Sequence, residues 1–194
     1  MRELKNIEEK ILDRALYLMG KKKSCNISIR AIAKEANVNV SAINYYFRSK
    51  DEMLQLVKEF YIQNSQSVLS ILKNEEYDLE ERLLLAANEI IEYALQYPGN
   101  MVIHSHSLEL IDSDVKSKNV VDIVFEIGEL IQQTLNSLIP GEKVACQYRY
   151  LIFTSAVNYP TESEVIALSE KFILKEQKSR IDYLKALITS LKSL

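Results

Sequence analysis

The sequence predicts an all-α protein, and three observations carry that prediction. Apolar residues recur at spacings of three and four along most of the chain, Gly and Pro number only 4 and 3 in 194 residues, and side-chain caps stand ahead of several periodic stretches. With 47% hydrophobic residues the chain is large enough for a well-packed core. Its net charge of −3 conceals a division: residues 1–50 hold eleven Lys and Arg against five Asp and Glu, a net +6, and the remainder nets −9. The basic end is the one expected to face a polyanion, with the acidic body turned away from it.

A first helix is expected to start at an Asn6/Glu9 capping box, to carry Ile7, Ile11, Ala15, Leu18 and Met19 on its apolar stripe, and to end near Gly20. Lys21, Lys22 and Lys23 then fall in the connecting loop, either as a solvated run or within reach of a flanking phosphate. Ser28 caps a short second helix with Ile29, Ile32, Ala33 and Ala36 at helical spacing. It stops at Asn37, one of the few non-glycine types that tolerate left-handed backbone angles, and Val38 follows as a plug into the core. A third helix spans Val40 to Phe47. Ile43 and Phe47 share its inward face, with Val40 at the edge, so Ser41, Ala42 and Tyr45 face outward with Asn44 and Tyr46 on the flanks. A solvated helix would show Lys and Glu there. Small residues and hydrogen-bonding aromatics instead suit close approach to base edges and phosphates, and Arg30, Lys34, Arg48 and Lys50 supply cations around them. The arrangement is that of a helix-turn-helix that reads DNA.

Ser49 and Glu52 form another capping box, opening a helix from Lys50 through Met53, Leu54, Val57, Phe60, Tyr61, Val68, Leu69 and Leu72. It is long enough to leave the reading unit and enter the body. Asp78 and Glu81 cap a helix through Leu83, Leu84, Ala87, Ile90, Ile91, Ala94 and Leu95, stopped by Tyr97-Pro98-Gly99. A shorter helix covers Met101 to Ile111, and a break at Asp112-Ser113-Asp114 precedes one through Val120, Val121, Val124, Phe125, Ile131, Leu135 and Leu138, ended by Ile139-Pro140-Gly141. Gly128 costs that helix about 1 kcal/mol against Ala, which calls for a close helix crossing or a cavity. A further helix runs from Glu142 through Val144, Tyr148, Leu151, Ile152 and Ser155 to Tyr159-Pro160. The last starts over Thr161 to Ser163, bends near Ser169, and carries Ile181, Leu184, Ile188 and Leu191 at alternating spacings of three and four, a seam for a partner helix to which Tyr148 and Ile152 are added.

Residues Ser28 to Lys50, followed by Asp51-Glu52-Met53-Leu54, resemble the TetR family of bacterial transcriptional regulators. Ile32-Ala33, Ala36, Val38, Tyr45, Phe47, Lys50 and Leu54 fall on its N-terminal pattern. The resemblance implies nine or ten helices in all, with a three-helix DNA-binding domain over 1–50 and a helical ligand-binding and dimerisation body over 51–194 that pairs through its last two long helices. It also implies that Arg30, Asn39, Ser41, Ala42, Asn44 and Tyr45 lie near base edges or phosphates, and that Tyr46 and Lys50 clamp the DNA backbone. Four residues depart from the pattern: Asn37 and Lys23 stand where Gly is usual, Tyr46 where His is common, and Met19 where Phe is usual.

An inducer pocket is expected where the Lys50 helix meets the following three, with Phe60, Tyr61, Asn64, Ile91, Met101, His104, Phe125 and Tyr148 as candidate lining. His104 and His106 are two apart and point about 200° from each other on a helix, so they do not chelate one ion and no metal is expected. One of them lines an apolar pocket as a hydrogen-bonding group, or both are ordinary surface or core residues. No nucleophile-and-base pair, Gly-rich phosphate loop or paired carboxylates stand out, so no catalytic residues, enzymatic activity or cofactor are expected. Cys25 and Cys146 show neither zinc nor disulfide spacing and read as reduced thiols, Cys146 being either a redox switch near a dimer seam or a small buried hydrophobe. A charged N-terminus and the lack of any long apolar run argue against secretion and membrane spanning, and place the chain in the cytoplasm. The expected function is that of a homodimeric repressor on a double-stranded DNA operator, released by an unknown small-molecule inducer. The alternative is a protein-binding co-activator or assembly factor on the same scaffold.

Overall fold

A computed structural model describes residues 6–162 and 173–194. Among the described residues the chain forms nine α-helices and no strand: α1 (Ile7–Lys22), α2 (Ile29–Ala36), α3 (Val40–Tyr46), α4 (Lys50–Lys73), α5 (Leu79–Gln96), α6 (Asn100–Glu109), α7 (Val115–Leu138), α8 (Lys143–Glu162) and α9 (Gln177–Leu191), with a 3₁₀ turn at Ile173–Lys175 before α9. None of the described helices is long and apolar enough to cross a membrane. The caps read from the sequence close as hydrogen bonds. Asn6 Oδ1 accepts from Glu9 N at 2.9 Å, Ser28 Oγ from Ala31 N at 3.2 Å and Ser49 Oγ from Glu52 N at 3.0 Å. Asp78 and Glu81 cap each other reciprocally.

The helices gather into two compact units, Met1–Asn64 with Gln96–Asp122, and Ser65–Leu95 with Ile123–Leu194. Within the first unit α1 meets the turn between α5 and α6 backbone to backbone. A Cβ on Gly20 would stand 2.4 Å from the Pro98 carbonyl carbon, and one on Gly99 would stand 2.1 Å from the Leu16 carbonyl oxygen. Gly20 therefore serves a close approach and does not end its helix. α1 runs on to Lys22, so Lys21 and Lys22 are helical, and it closes at Lys23 in the left-handed region with φ 50°. Lys23 N donates to Gly20 O and Ser24 N to Met19 O, the double bond of a Schellman end.

The second unit is built around Val68, Leu72, Leu83, Ile91, Ile131 and Phe153, joined by Leu184, Ile188 and Leu191 of α9. Those last three are fully buried in the chain's own core. Their spacing of three and four announced a helix packing partner, and that partner is supplied from within the chain, so they do not form the seam to a second copy; Ile181 beside them is half-buried. Gly128 lies at a close crossing as expected, with the Tyr150 phenol oxygen 3.0 Å from where its Cβ would stand. α8 does not stop at Pro160 but continues to Glu162. Proline has no N–H for the carbonyl four residues back. That carbonyl, Ala156 O, instead accepts from the Tyr183 hydroxyl of α9 at 2.8 Å. The expected helix start through Ser163 and the bend near Ser169 lie outside the described residues.

Two side chains the sequence reading passed over organise the units. Arg180, almost fully buried, donates to Asn88 Oδ1, Glu92 Oε2 and the carbonyls of Leu174 and Lys175, pinning the start of α9 to α5. Lys58, with 1% of its side chain exposed, pairs with Asp114 at 2.6 Å within the first unit.

Candidate nucleic-acid interface

The turn between α2 and α3 decides how α3 is presented. Asn37 sits at φ 54°, ψ 48°, its N–H donating to Lys34 O and the Val38 N–H to Ala33 O. This is again a Schellman end, and Asn fills it because its side chain tolerates the left-handed region. Val38 is half-buried beyond it. α3 then opens at Asn39, whose Oδ1 accepts from Ala42 N at 2.6 Å. Its side-chain oxygen is thus committed to capping, which leaves the amide NH₂ as the group facing outward chemistry.

Ile43 and Phe47 are buried and seat α3 against the rest of the unit. Ser41 and Asn44 are exposed, Ala42 is half-buried, and Tyr45 is 83% exposed, the most open large apolar ring in the first unit. Tyr46 is half-buried and holds Tyr45 edge-on, with ring centroids 5.2 Å apart, while leaning on Phe47 at 6.3 Å. A ring braced from one side and open on the other is a rigid contact group that loses little freedom on docking. Phe47 ends the helix in extended backbone.

Cations ring this face. Arg30, Lys34 and Arg48 are exposed, and the half-buried Lys50 has its Nζ held at 2.6 Å from Asn26 Oδ1 in the loop before α2. Glu52 takes the Arg48 backbone N–H at 3.0 Å while its own N–H is capped by Ser49, so the α3–α4 turn is fixed from both ends. Asn26 was not legible as part of the site, since nothing in local spacing links it to a residue 24 positions away.

The residues proposed from the sequence to line an inducer pocket fall in different surroundings. Phe60 and Asn64 are buried in the first unit, Phe60 edge-on to Tyr97 at 5.5 Å between centroids, and Phe60 borders a cleft of about 210 Å³ with Leu12 and Leu56 on its walls. Tyr61 and His104 are half-buried, and burial holds the His104 imidazole below its ordinary pKa. Met101 is exposed and Ile91 is part of the second unit's apolar core. Phe125 and Tyr148 are 67% and 61% exposed. They lie on the exposed sides of their helices; a helical stripe read without its neighbours cannot show which of two adjacent apolar residues turns in. Cys25 and Cys146 are free and half-buried, and burial pushes the Cys25 thiol up, away from the reactive thiolate.

A short helix seated by two buried side chains, carrying an open polar and aromatic face ringed by cations, and entered through a left-handed turn, defines a helix-turn-helix DNA-binding regulator. Comparison with known proteins gives the same class. The family profile described as bacterial regulatory proteins, tetR family, matches residues 11–57. The probable HTH-type transcriptional regulator YttP of Bacillus subtilis (strain 168) is 29% identical over 144 residues, covering 69% of this chain and 70% of that protein. A TetR-family transcriptional regulator from Bordetella parapertussis 12822 superposes with a TM-score of 0.70 at 16% identity, over 97% of this chain and 95% of that one. The regulator FadR from Bacillus subtilis, solved in complex with stearoyl-CoA, gives 0.55 at 18% identity over 90% and 96%. Residues 11–57 thus match the N-terminal profile of the tetR family, and the chain is similar over most of its length to regulators of that kind.

Proposed function

We propose that the chain is a homodimeric repressor that leaves its operator when a small molecule binds in its body. The observation that carries the DNA half of this reading is the outward face of α3, where Ser41, Asn44 and the braced Tyr45 stand open while Ile43 and Phe47 are seated. On duplex DNA, Ser41, Asn44 and Tyr45 reach base edges and Ala42 permits the close approach. Arg30, Tyr46, Lys50 and the Asn39 amide hold phosphates on either side. The three-helix reading domain is then residues 1–50 and the regulatory body residues 51–194, joined by α4, one uninterrupted helix from beside α3 to Val68 and Leu72 in the second unit's core.

The second copy is proposed to dock on α8. Val144, Tyr148, Leu151, Ile152 and Tyr159 form an exposed apolar strip along it, beside a depression of about 370 Å³ that Leu194 borders. A strip of this kind on a lone chain marks an interaction surface. Pairing would set two copies of α3 into successive major grooves about 34–36 Å apart. A ligand with greater affinity for the state in which that separation is wrong releases the DNA, and its differential affinity sets how far the equilibrium moves. The capture of stearoyl-CoA by a protein of like fold makes long-chain acyl-CoA the first class of ligand to try.

A gel shift on the DNA upstream of the chain's own gene, with and without long-chain acyl-CoA and extracted metabolites, tests the proposal. A shift at low salt that a metabolite abolishes is the expected result. A shift indifferent to every metabolite but altered by a protein fraction would instead favour a protein-recruiting regulator.

A further inference from the structure

Lys58 and Asp114 are 56 residues apart in sequence and meet inside the first unit, where α4 passes the start of α7. The Lys58 ammonium donates to Asp114 Oδ2 at 2.6 Å and to Ser117 Oγ at 2.8 Å, and its side chain is 1% exposed. Asp114 is in turn the cap of α7: Oδ2 accepts from Ser117 N at 3.1 Å and from Ser117 Oγ at 2.6 Å. Its second oxygen takes Gln55 Nε2 at 3.2 Å, one turn earlier on α4. Lys116 adds an outer bond to Glu59. Three side chains from two helices, Lys58 and Gln55 of α4 and Ser117 of α7, therefore converge on one carboxylate.

Stability alone does not account for a lysine here. Taking an ammonium out of water is expensive, and well-packed apolar residues of like volume often serve the fold as well or better. What an ion pair with directed hydrogen bonds adds is a single register: α4 is fixed in rotation and in height against the cap of α7, where an apolar contact would tolerate sliding. Lys58 lies eight residues from Lys50, about 12 Å along the helix axis. Between them α4 has no break, and its first turn is tied through Glu52 to Arg48 and Ser49 of the short turn that follows α3. The register of α4 at Lys58 is thus the register of the reading helix.

We infer that Lys58 and Asp114 are positioning residues for operator recognition: their buried pair holds α4, and with it α3, in the arrangement that fits DNA. The pair touches no nucleic acid itself. The inference rests on the proposed DNA-reading role of α3 and not on any inducer.

The test uses the full chain and a duplex that the unaltered protein selects from a randomised pool. Lys58→Met keeps the length of the side chain and removes the charge, while Asp114, 22% exposed, stays solvated and bonded to Ser117. The expected result is a variant of unchanged helicity that stays folded at the temperature of the binding assay. Its affinity for the selected duplex falls tenfold or more, its affinity for random duplex is retained, and amide exchange in α3 and the first turns of α4 is faster. The double variant Lys58→Met/Asp114→Asn should fall no further than Lys58→Met alone, because both changes break one link. Equal losses on selected and random duplex, an unchanged preference for the selected duplex, or additive losses in the double variant would each overturn the inference. The unaltered chain's complex, measured alongside, reports separately on the proposed function.

Discussion

Lys23 and Asn37 both hold the backbone left-handed, at φ 50° and 54°, and the two residues meet that demand unequally. Asn is one of the types that visit the region at low cost, whereas Lys carries the full Cβ penalty of about 1–2 kcal/mol. Lys23→Gly is expected to raise thermal stability by about 1 kcal/mol, and Asn37→Ala to lower it by a similar amount, both by thermal or urea unfolding. The left-handed turn at Asn37 was legible because Asn stands between two apolar periodic stretches. At Lys23 nothing local announced it, because a lysine there reads as a solvated loop. At the reading face, Lys50→Ala should weaken binding to all duplexes and flatten the salt slope by about one. Tyr45→Ala should instead cost about 1–3 kcal/mol on the selected duplex alone. Equal losses on selected and random DNA would remove Tyr45 from specificity.

Helix ends and crossings were less legible, since they depend on neighbours distant in sequence. Gly20 looked like a stop and is a contact point. A methyl group there would stand within 2.6 Å of three backbone atoms at Pro98 and Gly99, none of which can swing aside, so Gly20→Ala should cost more than the 1–3 kcal/mol of ordinary overpacking. Pro160 looked like a stop for the same local reason, and the Tyr183 phenol lets α8 pass it. Tyr183→Phe removes the donor and leaves Ala156 O unmet, at an expected cost of about 1–3 kcal/mol in unfolding experiments. The Lys58–Asp114 link sets a pH dependence. Burial alone would raise the Asp114 carboxyl, but the bonds from Lys58 and Ser117 and the Lys58 charge outweigh it and hold it well below its ordinary 3.8. A carboxyl depressed in the folded state contributes stability that is complete above its unfolded value and is lost as pH falls toward the folded one. Acid unfolding below pH 3.8 should therefore be less steep in Asp114→Asn than in the natural chain.

At the scale of the whole molecule, composition and periodicity made the all-helical fold and the charge division plain. The helix-turn-helix was legible residue by residue because its demands are local: a cap, a left-handed turn and two inward side chains. The faces of α7, α8 and α9 were not, because an apolar stripe specifies that something packs there and not what. Leu184, Ile188 and Leu191 went to the chain's own core, while Tyr148, Leu151 and Ile152 remained open. If those open residues seat the second copy, Leu151→Glu, placing a charge at a side chain 58% exposed in the single chain, should leave a folded monomer by sedimentation and lose operator affinity steeply. A variant that stayed dimeric would place the interface elsewhere. The central claim is that α3, presented twice, reads DNA. Its most direct test is footprinting of the natural chain on the duplex it selects from a randomised pool. The account predicts an inverted repeat protected at two half-sites about 34–36 Å apart on one side of the helix; no enrichment of any sequence at low salt, or a single protected site bound by a monomer, would contradict it.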